Sequence, residues 1–271
     1  MYYFDSTDVF AVNPKASIRV KEIGRDRTPI VIVDNFYRHP RRVRALVLAT
    51  PAPSYKAAPG TRNFIDYRDC RQQLALFGGS AEYIAILSAI IRMTYRRRVE
   101  INSMFTTNVF QLIKAQPPNS TAFPHQDVCS SQEQAARGVQ LRLFSAVLYL
   151  NSPSECRGGT AFFRHRGTKR EAFVRAPRAA VRLWNVIYRD GHNIDYGQNY
   201  WHETWEDDWI RYYTAPMKFN RLVLFPSQLF HGAWHEPNWF ASHPRLTQVM
   251  FAVPAPPGGR PRGVRPRRRS T

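Results

Sequence analysis

Residues 221–232 read RLVLFPSQLFHG, and the fold turns on how this run ends. Arg221 to Phe225 is of strand length and largely apolar, with none of the spacing of a helix. Pro226 and Ser227 stop it, because proline cannot donate to a ladder, and His231 is delivered at the strand's edge. Similar runs lie on either side. They are Phe105–Leu112 (FTTNVFQL), Leu141–Leu150 (LRLFSAVLYL), Gly159–Phe163 (GTAFF) and Arg245–Val253 (RLTQVMFAV), separated by Pro, Gly, Asn and Ser. Upstream the period differs. Pro29–Val33 (PIVIV) reads as a buried strand and Pro40–Leu48 (PRRVRALVL) as a helix with proline in its first turn. Ser80–Arg98 reads as a longer helix, with a capping serine, Ile86, Leu87, Ile90 and Ile91 at helical spacing, and a basic end. Helices followed by consecutive antiparallel strands predict an α+β, mainly β fold: a double-stranded β-helix (jelly roll) core with the N-terminal helices on one face.

The chain has 271 residues, 44% of them apolar, which suits one core spanning residues 1–253. Within it residues 167–220 are irregular, contain NYWHETWEDDWIRYY, and read as an insertion that caps a substrate site. Residues 254–271 hold six arginines and no acid, bury little, and read as a disordered tail. Cys70, Cys129 and Cys156 are odd in number and scattered, which fits neither a disulfide framework nor a cysteine-based zinc site and points to a reducing cytoplasm. The N-terminus MYYFDSTDVF has no basic leader, and no run approaches the ~20 apolar residues of a membrane span. The expectation is a soluble, cytoplasmic protein. A net charge of +19 bears on acidic partners and solubility, not on fold.

The stretch Phe123–Val128, FPHQDV, sets His125 and Asp127 two residues apart. On an extended strand such residues project to one side, where an imidazole and a carboxylate can share a cation. The same pair could be a hydrogen-bonded turn. A second histidine from a distant strand would complete the two-histidine, one-carboxylate facial triad of non-haem Fe(II), which leaves one face of the ion open. His231 is the candidate, and His235 its rival, since HGAWH offers two histidines at i and i+4. An α-keto acid could fill two open positions and leave a third for dioxygen. Its distal carboxylate would then need a fixed cation, for which arginine's planar fork is suited. Arg245 lies 14 residues after His231 on the next strand, with Thr247 pointing the same way.

HQD, AVLYLN, GGTAFF, RLVLFPSQLFHG and RLTQVMFA, in this order, resemble the Fe(II)/2-oxoglutarate-dependent oxygenase superfamily, especially its prolyl-4-hydroxylase-like branch. The resemblance covers about Phe105–Val253, and Ile30–Arg98 is similar to the helical support of such enzymes. It implies Fe(II), 2-oxoglutarate and dioxygen, and hydroxylation or a related oxidation of an amino-acid, peptide or small-molecule substrate. It also implies that His125, Asp127 and His231 ligate iron, that Arg245 anchors the co-substrate with Thr247, that Tyr149 touches it, and that Gln116 lies near another contact. The stretches 167–220 and His231–Arg245 are longer than the branch usually has, which bears on the substrate and on the anchor respectively. A competing reading is a basic nucleic-acid-binding or interaction protein on a degenerate jelly-roll scaffold, motivated by the charge, PRRVR, YRRRV and the arginine tail. Trp201, Trp205 and Trp209 recur every four residues, as the buried side of a helix or as a stacking surface.

Overall fold

The computed structural model describes residues 9–50, 71–75, 80–97, 108–113, 124, 125, 127, 144–172, 205–236 and 238–252. In chain order the elements are β1 (Ser17–Ile23), β2 (Thr28–Asp34), α1 (Pro40–Ala49), β3 (Arg71–Ala75), α2 (Ser80–Tyr95), β4 (Asn108–Ile113), β5 (Phe144–Tyr149), β6 (Gly159–His165), the one-turn α3 (Trp205–Asp208), β7 (Trp209–Pro216), β8 (Leu222–Pro226), β9 (His231–Trp234) and β10 (Arg245–Ala252). Seven strands form one sheet in the order β1-β2-β8-β5-β10-β4-β3, and three form a second in the order β7-β6-β9. Every pairing between these strands is antiparallel. The fold is therefore mainly β, with two principal helices.

Alternation along the strands explains how the layers stack. Val31 and Val33 of β2, Ala146 and Leu148 of β5, Leu222 and Leu224 of β8, and Leu246 and Met250 of β10 face one side, where they pack with Val43 and Val47 of α1 and Leu87, Ile90 and Ile91 of α2. Their sequence neighbours Ile30, Ile32, Tyr149, Val223 and Phe225 face the other side and pack with Phe162 of β6 and Ala215 of β7. The large sheet is thus covered by helices on one face and by the small sheet on the other. Strands buried on both faces are read as continuous apolar runs, which is why VLF and VIV stand out in the sequence.

The end of α2 and the setting of Trp209 differ from the sequence reading. Helix α2 ends at Tyr95 rather than Arg98, because Arg96 adopts φ 54°, a left-handed conformation that terminates a helix. Trp209 was expected in a helical tryptophan repeat but opens strand β7, directly after the single turn of α3. There it is buried against Phe230, with ring centroids 4.8 Å apart. Trp201, residues 173–204 of the expected insertion, and the arginine tail lie outside the described residues. Gly158 precedes β6 and Gly159 opens it. A Cβ on Gly158, at φ 67°, would stand 1.9 Å from the Trp234 carbonyl oxygen, so the close approach of β9 requires glycine there. Among the described residues no helix is long and apolar enough to cross a membrane.

Candidate metal centre

Backbone pairing brings the two halves of the centre together. The His125 N–H donates to the His231 carbonyl at 2.9 Å, and the His231 N–H donates to the His125 carbonyl at 2.8 Å. This isolated bridge sets the two imidazoles side by side, with centroids 4.6 Å apart. Asp127, two residues on, donates its N–H to the Ser227 carbonyl at 3.1 Å, which keeps the segment extended and sends its carboxylate to the same side as His125. One donor atom from each of His125, Asp127 and His231 lies within 4.8 Å of the others. His231 Nε2 stands 3.0 Å from Asp127 Oδ2, and His125 Nε2 stands 3.7 Å from Oδ1. The His231 side chain is buried while that of His125 is 46% exposed, so the cluster is closed on the protein side and open on one flank.

The tautomer of His231 follows from its other nitrogen. Nδ1 lies 2.8 Å from the Leu229 carbonyl oxygen, which can only accept, so Nδ1 carries the proton. Nε2 is then the nitrogen that faces the carboxylate oxygen. The two atoms, 3.0 Å apart, require a cation between them, either a proton or a metal ion. Burial pushes the Asp127 carboxyl upward, but the charges and hydrogen bonds of His231, together with His125 and Ser145, outweigh it and hold the group well below the usual carboxylate range. Two imidazoles and an ionised carboxylate, with an open flank, are a donor set that fits Fe(II).

The face of the large sheet that carries this cluster continues toward Arg245. Register places Tyr149 directly opposite Thr247, Val147 opposite Val249, and Ser145 opposite Phe251. Ser145 marks the cluster end, and Arg245 and Thr247 mark the other. Between them Val147 and Val249 are only half-buried although they lie on central strands. Arg245 and Thr247 are fully buried, and the Arg245 guanidinium carbon lies 5.9 Å from the Tyr149 ring centroid. The Tyr149 hydroxyl is committed to Thr160 Oγ1 at 2.6 Å, and burial raises its pKa. Thr247 Oγ1 is buried with no hydrogen-bond partner among the described residues.

His235, the rival ligand, is elsewhere. It is buried against Phe240 with ring centroids 5.7 Å apart, and burial together with the Arg245 charge lowers its pKa to about 4. Gln116 and Cys129 lie outside the described residues. Cys156 is a half-buried thiol pushed up to about 11 by burial. Gln111 of β4, directly opposite Thr247, was not singled out in the sequence; it shares that face and is half-buried. Its only signal was alternation along NVFQLI.

Fold and site together define a mainly β, two-sheet protein with a His–Asp–His cluster that can hold a metal ion. Over residues 14–251 the sequence matches the family described as a family of unknown function, DUF6445, and the chain belongs to that family. No curated protein matches it. Among solved structures it is similar to HygX from Streptomyces hygroscopicus with nickel, 2-oxoglutarate and hygromycin B bound, at 12% identity over 87% of this chain and 88% of that one, with a TM-score of 0.41. It is also similar to a Pseudomonas putida prolyl-4-hydroxylase, at 15% identity over 89% and 93% of the two chains and a TM-score of 0.37. A third is EctD from S. alaskensis with bound Fe, at 13% identity over 91% and 87% and a TM-score of 0.38.

Proposed function

We propose that this protein is a non-haem Fe(II)- and 2-oxoglutarate-dependent dioxygenase of the prolyl-4-hydroxylase-like branch, built as a single double-stranded β-helix domain over residues 1–253. The observation that carries the reading is the convergence of His125, Asp127 and His231, with one donor atom of each within 4.8 Å of the others and His231 Nε2 3.0 Å from Asp127 Oδ2. The ordered segments from HQD to RLTQVMFA support it independently. His125, Asp127 and His231 would hold the ion. Bound there, Fe(II) would couple the oxidative decarboxylation of 2-oxoglutarate by dioxygen to oxidation of a substrate C–H bond. The buried Arg245 would anchor the distal carboxylate, with the Thr247 hydroxyl donating beside it and the Tyr149 ring walling the site. Gln116 is the remaining candidate contact. The exposed flank of His125 is the side from which an amino-acid, peptide or small-molecule substrate would approach. The protein would act in the cytoplasm. A degenerate nucleic-acid-binding scaffold is not favoured, since all three donors are present and converge.

The test is visible absorption of the purified protein with Fe(II) and 2-oxoglutarate added anaerobically. Chelation of the keto acid should give a weak charge-transfer band that is absent in His125→Ala and needs at least tenfold more 2-oxoglutarate in Arg245→Ala. A folded wild-type protein without the band would overturn the assignment.

A further inference from the structure

Asp127 is held by two serines that are not themselves among the three candidate ligands. The Ser145 hydroxyl donates to Asp127 Oδ2 at 2.6 Å, and Ser145 Oγ lies 2.6 Å from Ser227 Oγ. Both serines are fully buried, at 0% exposure. A serine hydroxyl has one proton, and Ser145 has committed its own to the carboxylate, so the second bond runs from Ser227 to Ser145. The chain of donors is Ser227 to Ser145 to Asp127, and cooperative polarisation strengthens its last bond. Ser227 reaches Asp127 a second time through its carbonyl, which accepts the Asp127 N–H at 3.1 Å.

The turn that follows β8 therefore governs two ligands from outside the cluster. Within it the Leu229 N–H donates to the Pro226 carbonyl at 3.1 Å, Ser227 orients Asp127, and the Leu229 carbonyl sets the tautomer of His231. We infer that Ser145 and Ser227 form a donor relay that positions the Asp127 carboxylate for metal binding, with Ser227 acting through Ser145. The inference rests on the metal-binding reading above and adds what makes the carboxylate a preset ligand rather than a rotating one. Partners of this kind outside the ligand set typically change metal affinity 10–100-fold.

Binding of Co(II) alone to the full-length apoprotein, followed by its visible absorption, separates the possibilities. Ser145→Ala should bind Co(II) roughly 10–100-fold more weakly, and Ser227→Ala less severely, because Ser145 keeps its bond to Asp127. The double variant should bind no more weakly than Ser145→Ala, since a relay's second member has no route to the metal once the first is gone. Thermal unfolding of the apoproteins is the control: the losses of affinity should exceed anything that the small changes in stability account for. Wild-type affinity in Ser145→Ala, or losses that simply add in the double variant, would overturn the relay while leaving the metal site standing. Absence of Co(II) binding by the wild type would instead overturn the metal reading, and the relay with it.

Discussion

Desolvation is the largest influence on the charge of a deeply buried imidazole, and His235 is that case. It is 2% exposed, it stacks edge-on to Phe240, and the Arg245 charge opposes its protonation, so its folded pKa falls from 6.5 to about 4. In the unfolded chain the ring protonates below about pH 6.5 while the native ring stays neutral. Stability should therefore be lost as pH falls from about 6.5 to 4, by at most about 3 kcal/mol from this residue. Urea unfolding at stepped pH should show this slope in the wild type and a shallower one in His235→Gln; parallel slopes would refute the account. The same residue shows where single-sequence reading stops. HGAWH offered His235 as a rival to His231, and the register of β9 against the 124–125 segment is what sets His231 beside His125. His125 and Asp127 were legible because extended backbone puts i and i+2 on one side. Ser145 and Leu229 were not, because a serine in an apolar strand and a backbone carbonyl carry no signature.

Between elements the decisive contact is the seam that joins the N-terminal hairpin to β8. Arg221 donates through Nε to Asp34 Oδ1 at 2.6 Å and through its terminal nitrogen to Oδ2 at 3.0 Å, a bidentate pair with side chains only 8% and 15% exposed. Its guanidinium holds the Asp34 carboxyl below its ordinary pKa, even against burial. Removing one partner of a buried pair costs about 3–5 kcal/mol when it strands a charge, but Arg19 at 3.4 Å and Lys218 at 3.6 Å still face Asp34, so the loss here falls short of that. Arg221→Ala should lower stability by about 2–3 kcal/mol, the worth of the charge-assisted hydrogen bonds it loses. Arg27→Ala, which breaks an exposed pair with Glu22, should cost less than about 1 kcal/mol. Equal losses in chemical denaturation would show that burial is not what matters. The strands legible in the sequence are those of this seam and its neighbours, where both faces are covered. β1, SIRVKEI, was missed because its outer residues alternate with Arg19 and Lys21 and it lies at the sheet's edge. β7 was missed because WIRYY was read with the acidic, tryptophan-rich stretch before it. β9, four residues long, is made by pairing with β6 rather than by its own composition.

Across the whole molecule the proposed centre ties separated parts of the chain: His125 and Asp127 arrive on one short extended segment, and His231 on β9 of the small sheet. The unfolded chain has no such site, so an ion bound there stabilises only the native state. At an ion concentration of 100 Kd the gain is about 2.7 kcal/mol, which for a chain of this size raises Tm by roughly 5–10 °C. Co(II) should therefore raise the melting temperature of the wild type and leave that of His125→Ala unchanged. Arg245→Ala should keep the response to Co(II), because its guanidinium belongs to the far end of the inner face, but lose the further increment that 2-oxoglutarate adds to the metal-loaded wild type. A 2-oxoglutarate increment that survives in Arg245→Ala would place the distal carboxylate elsewhere. An increment that appears without any metal would mean that the basic interior binds dicarboxylates on its own, with the His–Asp–His cluster playing no part.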